Sequence, residues 1–103
     1  MEKQVARFLQ DHALGKKNAV NSKQVEALFG INGIALRSIV NNLRSNGVPI
    51  CSGGVGYWYA DTLEELVATR KQLISRVRGI ERAIEGLDDA IIKQATRIKA
   101  KVK

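Results

Sequence analysis

The 103 residues predict a mainly α fold with one small β-hairpin and a long C-terminal helix. Three observations carry that expectation. Apolar residues recur at spacings of three and four in three short N-terminal segments. A glycine-rich stretch, Ile50-Cys51-Ser52-Gly53-Gly54-Val55-Gly56-Tyr57-Trp58, joins two short runs that favour extended backbone. Residues 61–103 then contain no proline and repeat apolar residues with a period of seven. One compact domain over residues 1–60 and an oligomerisation helix over 61–103 follow from this division.

The composition fits. With 45% hydrophobic and 26% charged residues, the chain can build one small core but not two of ordinary size. A net charge of +7 favours an anionic partner, without choosing among nucleic acid, a membrane surface and an acidic protein. No apolar run approaches the roughly 18 to 20 residues needed to span a bilayer. The start, MEKQVARFLQDH, alternates charge with hydrophobicity instead of presenting a signal-peptide core, so a cytoplasmic protein is expected. Cys51 is the only cysteine, cannot form an intrachain disulfide, and reads as a small strand residue suited to a reducing compartment.

In residues 2–12, Val5, Phe8, Leu9 and His12 or Ala13 share one helical face, which predicts a first amphipathic helix ended by Gly15. His12 lacks partners at metal-ligand spacing. Lys16 and Lys17 fall in the following loop, solvated or in contact with phosphate. Ala19-Val20 can form at most a short strand. Asn21 or Ser22 then caps a second helix over residues 22–29, with Gln24 placed for a capping box and Val25, Leu28 and Phe29 expected in the core. The link Gly30-Ile31-Asn32-Gly33 is short, and its glycines tolerate the backbone angles that end one helix and start the next.

The third helix, residues 33–45, offers Ile34, Leu36, Ile39, Val40 and Leu43 for packing and Arg37, Ser38, Asn41, Asn42, Arg44 and Ser45 largely on the other side. Asn46-Gly47 ends it, Val48-Pro49-Ile50-Cys51 reads as a strand, Ser52-Gly53-Gly54 as a turn, and residues 55–59 as the returning strand. Tyr57 and Tyr59 share one face of that strand and are expected in the core. Trp58, on the other face, either covers the long helix or faces a partner.

Residues 5–60 resemble a winged helix-turn-helix, particularly the type at the N-terminus of biotin-repressor proteins. The resemblance lies in Val25-Glu26-Ala27-Leu28-Phe29-Gly30-Ile31, in Leu43-Arg44-Ser45-Asn46-Gly47-Val48 and in Gly54-Val55-Gly56-Tyr57. It implies duplex DNA as partner, with the third helix in the major groove and the hairpin as a wing beside it. Carried over by position, Arg37, Ser38, Asn41 and Asn42 become base or groove contacts, and Arg44 and Lys23 phosphate contacts. The chemistry agrees: arginine can pair bidentately with guanine, asparagine with adenine, and serine can adapt to either. The wing departs from the family, since its tip, Ser52-Gly53-Gly54-Val55, carries no lysine or arginine.

Asp61, with Glu64 three residues on, is expected to cap a last helix of about 40 residues, roughly 60 Å if continuous. With Leu63 at position a, the a series is Leu63, Arg70, Val77, Ile84, Ile91 and Ile98, and the d series Leu66, Leu73, Ile80, Leu87, Gln94 and Lys101. This predicts a coiled-coil homo-oligomer, a dimer, joined through Leu66, Leu73, Val77, Ile80, Ile84, Leu87, Ile91 and Ile98. In a parallel pair Arg76 can reach Glu81 of the other chain. Val67 and Ile74 widen the apolar stripe and keep an antiparallel pair or a larger bundle open. Gly79 and Gly86 each cost up to about 1 kcal/mol of helix propensity but lie off the seam. Lys93, Arg97, Lys99, Lys101 and Lys103 make a basic end, either a solvated terminus or a secondary anionic contact.

No nucleophile with a histidine base, phosphate loop or metal cluster is legible, so neither an enzyme nor a cofactor is expected. The expectation is a sequence-specific, homodimeric DNA-binding protein: a transcriptional regulator, or an accessory factor in replication or recombination. Its size is similar to that of compact winged-helix proteins of bacterial phages and prophages. The alternative is an adaptor whose winged domain binds protein and whose helix builds an assembly.

Overall fold

In the computed structural model, which describes residues 1–102 and side chains as far as Ile98, the protein is mainly helical with one two-stranded antiparallel hairpin. The elements run α1 (Glu2–His12), a 3-10 turn (Lys16–Asn18), α2 (Ser22–Phe29), α3 (Gly33–Ser45), β1 (Ile50–Gly53), β2 (Gly56–Tyr59) and α4 (Leu63–Val102). Two compact units result, Met1–Arg70 and Lys71–Lys103. The boundary lies ten residues beyond the end of the hairpin region expected from sequence, because the first turns of α4 belong to the N-terminal unit. Thr69 is buried there, and the Cys51 thiol donates to the Glu65 carbonyl at 3.6 Å.

The core of the N-terminal unit gathers Val5 and Leu9 of α1, Val25 of α2, Leu36, Val40 and Leu43 of α3, and Ile50, Cys51 and Trp58 of the hairpin. Each helix contributes the apolar face that its spacing defines. Phe8 packs edge-on against Phe29 with ring centroids 5.9 Å apart, joining α1 to α2. Two expected core positions stand outside it: Leu28 is 58% exposed and Ile34 is 71% exposed. At about 100° per residue, Ile34 lies roughly opposite Leu36, so it cannot share a buried face with Leu36, Val40 and Leu43.

Side-chain caps set the helix starts. Gln24 N donates to Asn21 Oδ1 at 2.9 Å and Asn21 N to Gln24 Oε1 at 3.3 Å, which completes the capping box at α2. Ala35 N donates to Asn32 Oδ1 at 2.8 Å and starts α3. Gly30, at φ 63°, ends α2 in the left-handed region, where a side chain would be strained. Asn32→Ala is expected to lower stability by about 1 kcal/mol in urea unfolding, with the midpoint moved and the m-value unchanged.

The hairpin register pairs Ile50 with Tyr59, Cys51 with Trp58, Ser52 with Tyr57 and Gly53 with Gly56. The turn is therefore Gly54-Val55, shifted toward the C-terminus of the expected Ser52-Gly53-Gly54. The aromatic assignments also change. Trp58 is in the core opposite Cys51, while Tyr57 and Tyr59 are only half-buried. On its other edge β2 meets Leu14 and Val20 in isolated bridges, with Val20 N and Tyr57 N each donating to the other's carbonyl at 2.9 and 2.8 Å. Ala19-Val20 thus contributes a single bridge residue and no strand.

The cap of α4 is one residue later than expected. Thr62 Oγ1 accepts from Glu65 N at 3.2 Å, while the Glu65 carboxylate accepts from Asp61 N at 2.8 Å and from Lys16 N at 3.0 Å. The partner of the capping threonine is therefore Glu65, not Glu64. These backbone donors, Lys16 first and Asp61 next, hold the Glu65 carboxyl below its usual pKa. A carboxyl with a lowered folded pKa stabilises the fold above its unfolded pKa and loses that contribution as pH falls. Stability measured from pH 7 to pH 3 is therefore expected to drop more steeply below about pH 4.3 for the native protein than for Glu65→Gln.

The second unit is helical through Val102, and Gly79 and Gly86 do not interrupt it. Among the described residues no helix is long and apolar enough to cross a membrane.

Candidate nucleic-acid interface and self-association seam

The α3 side opposite its buried row forms one continuous exposed stripe. Leu36, Val40 and Leu43 anchor the helix, and Ile34, Arg37, Ser38, Asn41, Asn42 and Ser45 are exposed. Spacings of three and four keep these six side chains together over about three turns. Four of them, Arg37, Ser38, Asn41 and Asn42, are the groove contacts expected from sequence.

The details of the stripe differ along its length. Arg37 is near the start of α3, with its Nη1 and the Glu26 carboxylate both close to Gly33: a Cβ there would meet them at 3.4 and 3.6 Å. Asn42 Nδ2 donates to Glu2 Oε2 at 3.4 Å, which brings the first turn of α1 beside the C-terminal half of the stripe. Ser45 Oγ donates back to the Asn41 carbonyl at 2.9 Å. Ile34, assigned to the core by its spacing, begins the stripe at its N-terminal end instead. Comparing its angle with that of Leu36, Val40 and Leu43 would have placed it there from sequence.

The two expected phosphate contacts part company. Lys23 is 88% exposed and lies 3.8 Å from Glu26, an i,i+3 surface pair of little strength. Arg44 is half-buried and committed to the domain: Nε donates to the Ile50 carbonyl at 2.8 Å and Nη2 to Ser52 Oγ at 3.0 Å. It fastens the end of α3 to β1 and so orients the hairpin against the stripe. The reason is its position, five residues before Pro49 on the side of α3 that meets the hairpin.

Beneath the hairpin, Cys51 is fully buried, and burial pushes its thiol pKa up, opposed by a hydrogen bond with Thr69. Iodoacetamide at neutral pH is expected to leave Cys51 unmodified in the folded protein and to alkylate it in denaturant. The Trp58 Nε1 is buried without a completed hydrogen bond, although Glu65 is close enough for its carboxylate to be influenced by it.

Charge is unevenly divided. Residues 1–70 hold eight lysines and arginines against six acids, and residues 71–103 nine against four. The N-terminal unit therefore carries little net charge of its own.

The seam in the second unit leaves Val77, Ile80, Ile84, Leu87, Ile91 and Ile98 more than half exposed on a single chain. Leu73 is half-buried, and Leu66, in the N-terminal unit, is 37% exposed. Leu87, Ala90, Ile91, Gln94, Ala95 and Ile98 line a shallow apolar groove. Lys101 of the d series, and the basic end at Lys99, Lys101 and Lys103, lie outside the residues whose side chains are described. Comparison with protein-family models, with curated proteins and with solved structures found no match to this chain.

Proposed function

We propose that the protein binds double-stranded DNA with sequence preference, as a homodimer of winged helix-turn-helix domains held by a coiled coil of α4, acting without a cofactor or catalysis in the cytoplasm. It serves as a transcriptional regulator or as an accessory factor in replication or recombination. The observation that carries this reading is the α3 stripe. A helix anchored on one side presents arginine, serine and two asparagines together on the other, the donor and acceptor set that reads base edges in a major groove. The hairpin, fixed by Arg44 at the end of that helix, takes the place of the wing.

A low charge on the N-terminal unit makes a single copy a modest binder, since phosphate neutralisation supplies most affinity for DNA. Two copies on one duplex raise the effective concentration of the second contact. Binding of fluorescent duplexes, followed over a salt series, tests this. Arg37→Ala is expected to weaken the preferred duplex by about 1–3 kcal/mol and random duplexes much less. No duplex binding at low salt by an intact dimer would overturn the reading.

One feature favours a second reading, an adaptor that binds protein through the same stripe. Ile34, exposed at its N-terminal end, is an apolar contact that bases use only through the thymine methyl. Ile34→Ser separates the two: a DNA reader keeps most of its affinity, and an adaptor loses its partner.

A further inference from the structure

We infer that α4 pairs with a second copy of this chain in parallel and in register over residues 73–98, so that each seam residue meets its own counterpart. The inference rests on the self-association proposed above and is independent of DNA binding.

The choice of orientation comes from the residues flanking the seam. Between Leu73 and Ile98 the e positions are Ile74, Glu81, Asp88 and Ala95, and the g positions are Arg76, Ala83, Ala90 and Arg97. Both charged e residues are acidic and both charged g residues basic. All four are exposed, and among the described residues the one ion pair is Lys23–Glu26, elsewhere in the chain.

Orientation decides what those charges meet. In a parallel pair g faces e of the partner, which brings Arg76 of each chain to Glu81 of the other. In an antiparallel pair e faces e and g faces g. The antiparallel alignment that opposes the most apolar seam residues sets Ile80 against Ile84, Val77 against Leu87, Leu73 against Ile91 and Leu66 against Ile98. That alignment also places Glu81 beside its own counterpart, Asp88 beside Ile74 and Arg76 beside Ala90, so the acids and bases on the flanks gain no opposite partner and the two Glu81 carboxylates repel. The seam agrees with the flanks: Val77, Ile84 and Ile91 at a, with Leu73 and Leu87 at d, favour two parallel strands. The consequence is that both chains enter the pair from the same end, as recognition of adjacent half-sites about one helical turn apart requires.

Two measurements on the full chain without DNA test the orientation. Val77→Cys and Ile91→Cys, each alone, are expected to form disulfide-linked dimers under mild oxidation, with the native chain and its buried Cys51 as control. In the antiparallel alignment the two cysteines would lie about 15 Å apart at position 77 and about 27 Å apart at position 91 along the axis, and would not link. Charge reversal gives a sign. In the parallel pair Arg76→Glu and Glu81→Arg each weaken dimerisation several-fold in sedimentation equilibrium, and the double variant restores it. In the antiparallel pair neither single reversal weakens it, because Arg76 faces Ala90 and position 81 faces its own counterpart with like sign either way. Single reversals that do not weaken dimerisation, or a dimer that fails to link at both positions, overturn the parallel arrangement. A chain that stays monomeric overturns self-association itself, which the sedimentation data report directly.

Discussion

Gly56→Ala is expected to be the most damaging small substitution in the N-terminal unit, costing at least about 3 kcal/mol. Gly56 begins β2 at φ 117°, and a Cβ there would collide with the Val20 carbonyl and approach Asn21 Cα to 2.8 Å. The obstruction is backbone, so it cannot rotate away. Relief would require separating β2 from Val20, and with it the paired Val20 and Tyr57 hydrogen bonds and the start of α2 at Asn21. Thermal and urea unfolding should show the loss. Gly54→Ala is the matched control, since a Cβ at Gly54 meets nothing within 4 Å and the substitution should change stability little.

Ile84→Asp is expected to abolish self-association while leaving the N-terminal unit folded. Ile84 is 52% exposed on the single chain and occupies the middle of the seam. Dimerisation would bury the new carboxylate without a partner, at a cost of about 3–5 kcal/mol. That corresponds to a loss of roughly 100-fold or more in the association constant. Sedimentation equilibrium should report a monomer, and Cys51 should stay protected from alkylation, because its cover lies within the N-terminal unit. DNA affinity should fall as well, and binding should lose its dependence on the second half-site.

How far the sequence could be read depended on what each contact required. Periodicity identified the helices because burial of one face is a local pattern, so Val5, Leu9, Val25, Leu36, Val40 and Leu43 are all in the core. The capping box at Asn21 was legible for the same reason, as its partners are three residues apart. The exposed stripe of α3 followed from the same pattern read in reverse. What escaped depended on contacts between distant segments. Glu65 reaches Lys16, forty-nine residues away, and this selects Thr62 over Asp61 as the cap. Trp58 entered the core because Cys51 and Gly53 leave room on that face of the hairpin, with Trp58 Cη2 3.5 Å from where a Gly53 Cβ would stand. Arg44 looked like any exposed helix arginine until the hairpin folded back on it. Ile34 stands outside the core for a simpler reason: it lies about 200° around the helix from Leu36 and about 180° from Leu43, so apolar character alone does not put it on their face.

The most direct test of the proposed function is selection of bound duplexes from a random pool, run in parallel with the native chain and with Asn41→Ala. The native chain is expected to enrich a motif of two related half-sites, and Asn41→Ala to relax the preference at one base step in each while keeping the half-site spacing. Enrichment of no motif, or of the same motif at the same strength by both chains, would contradict base reading by the α3 stripe.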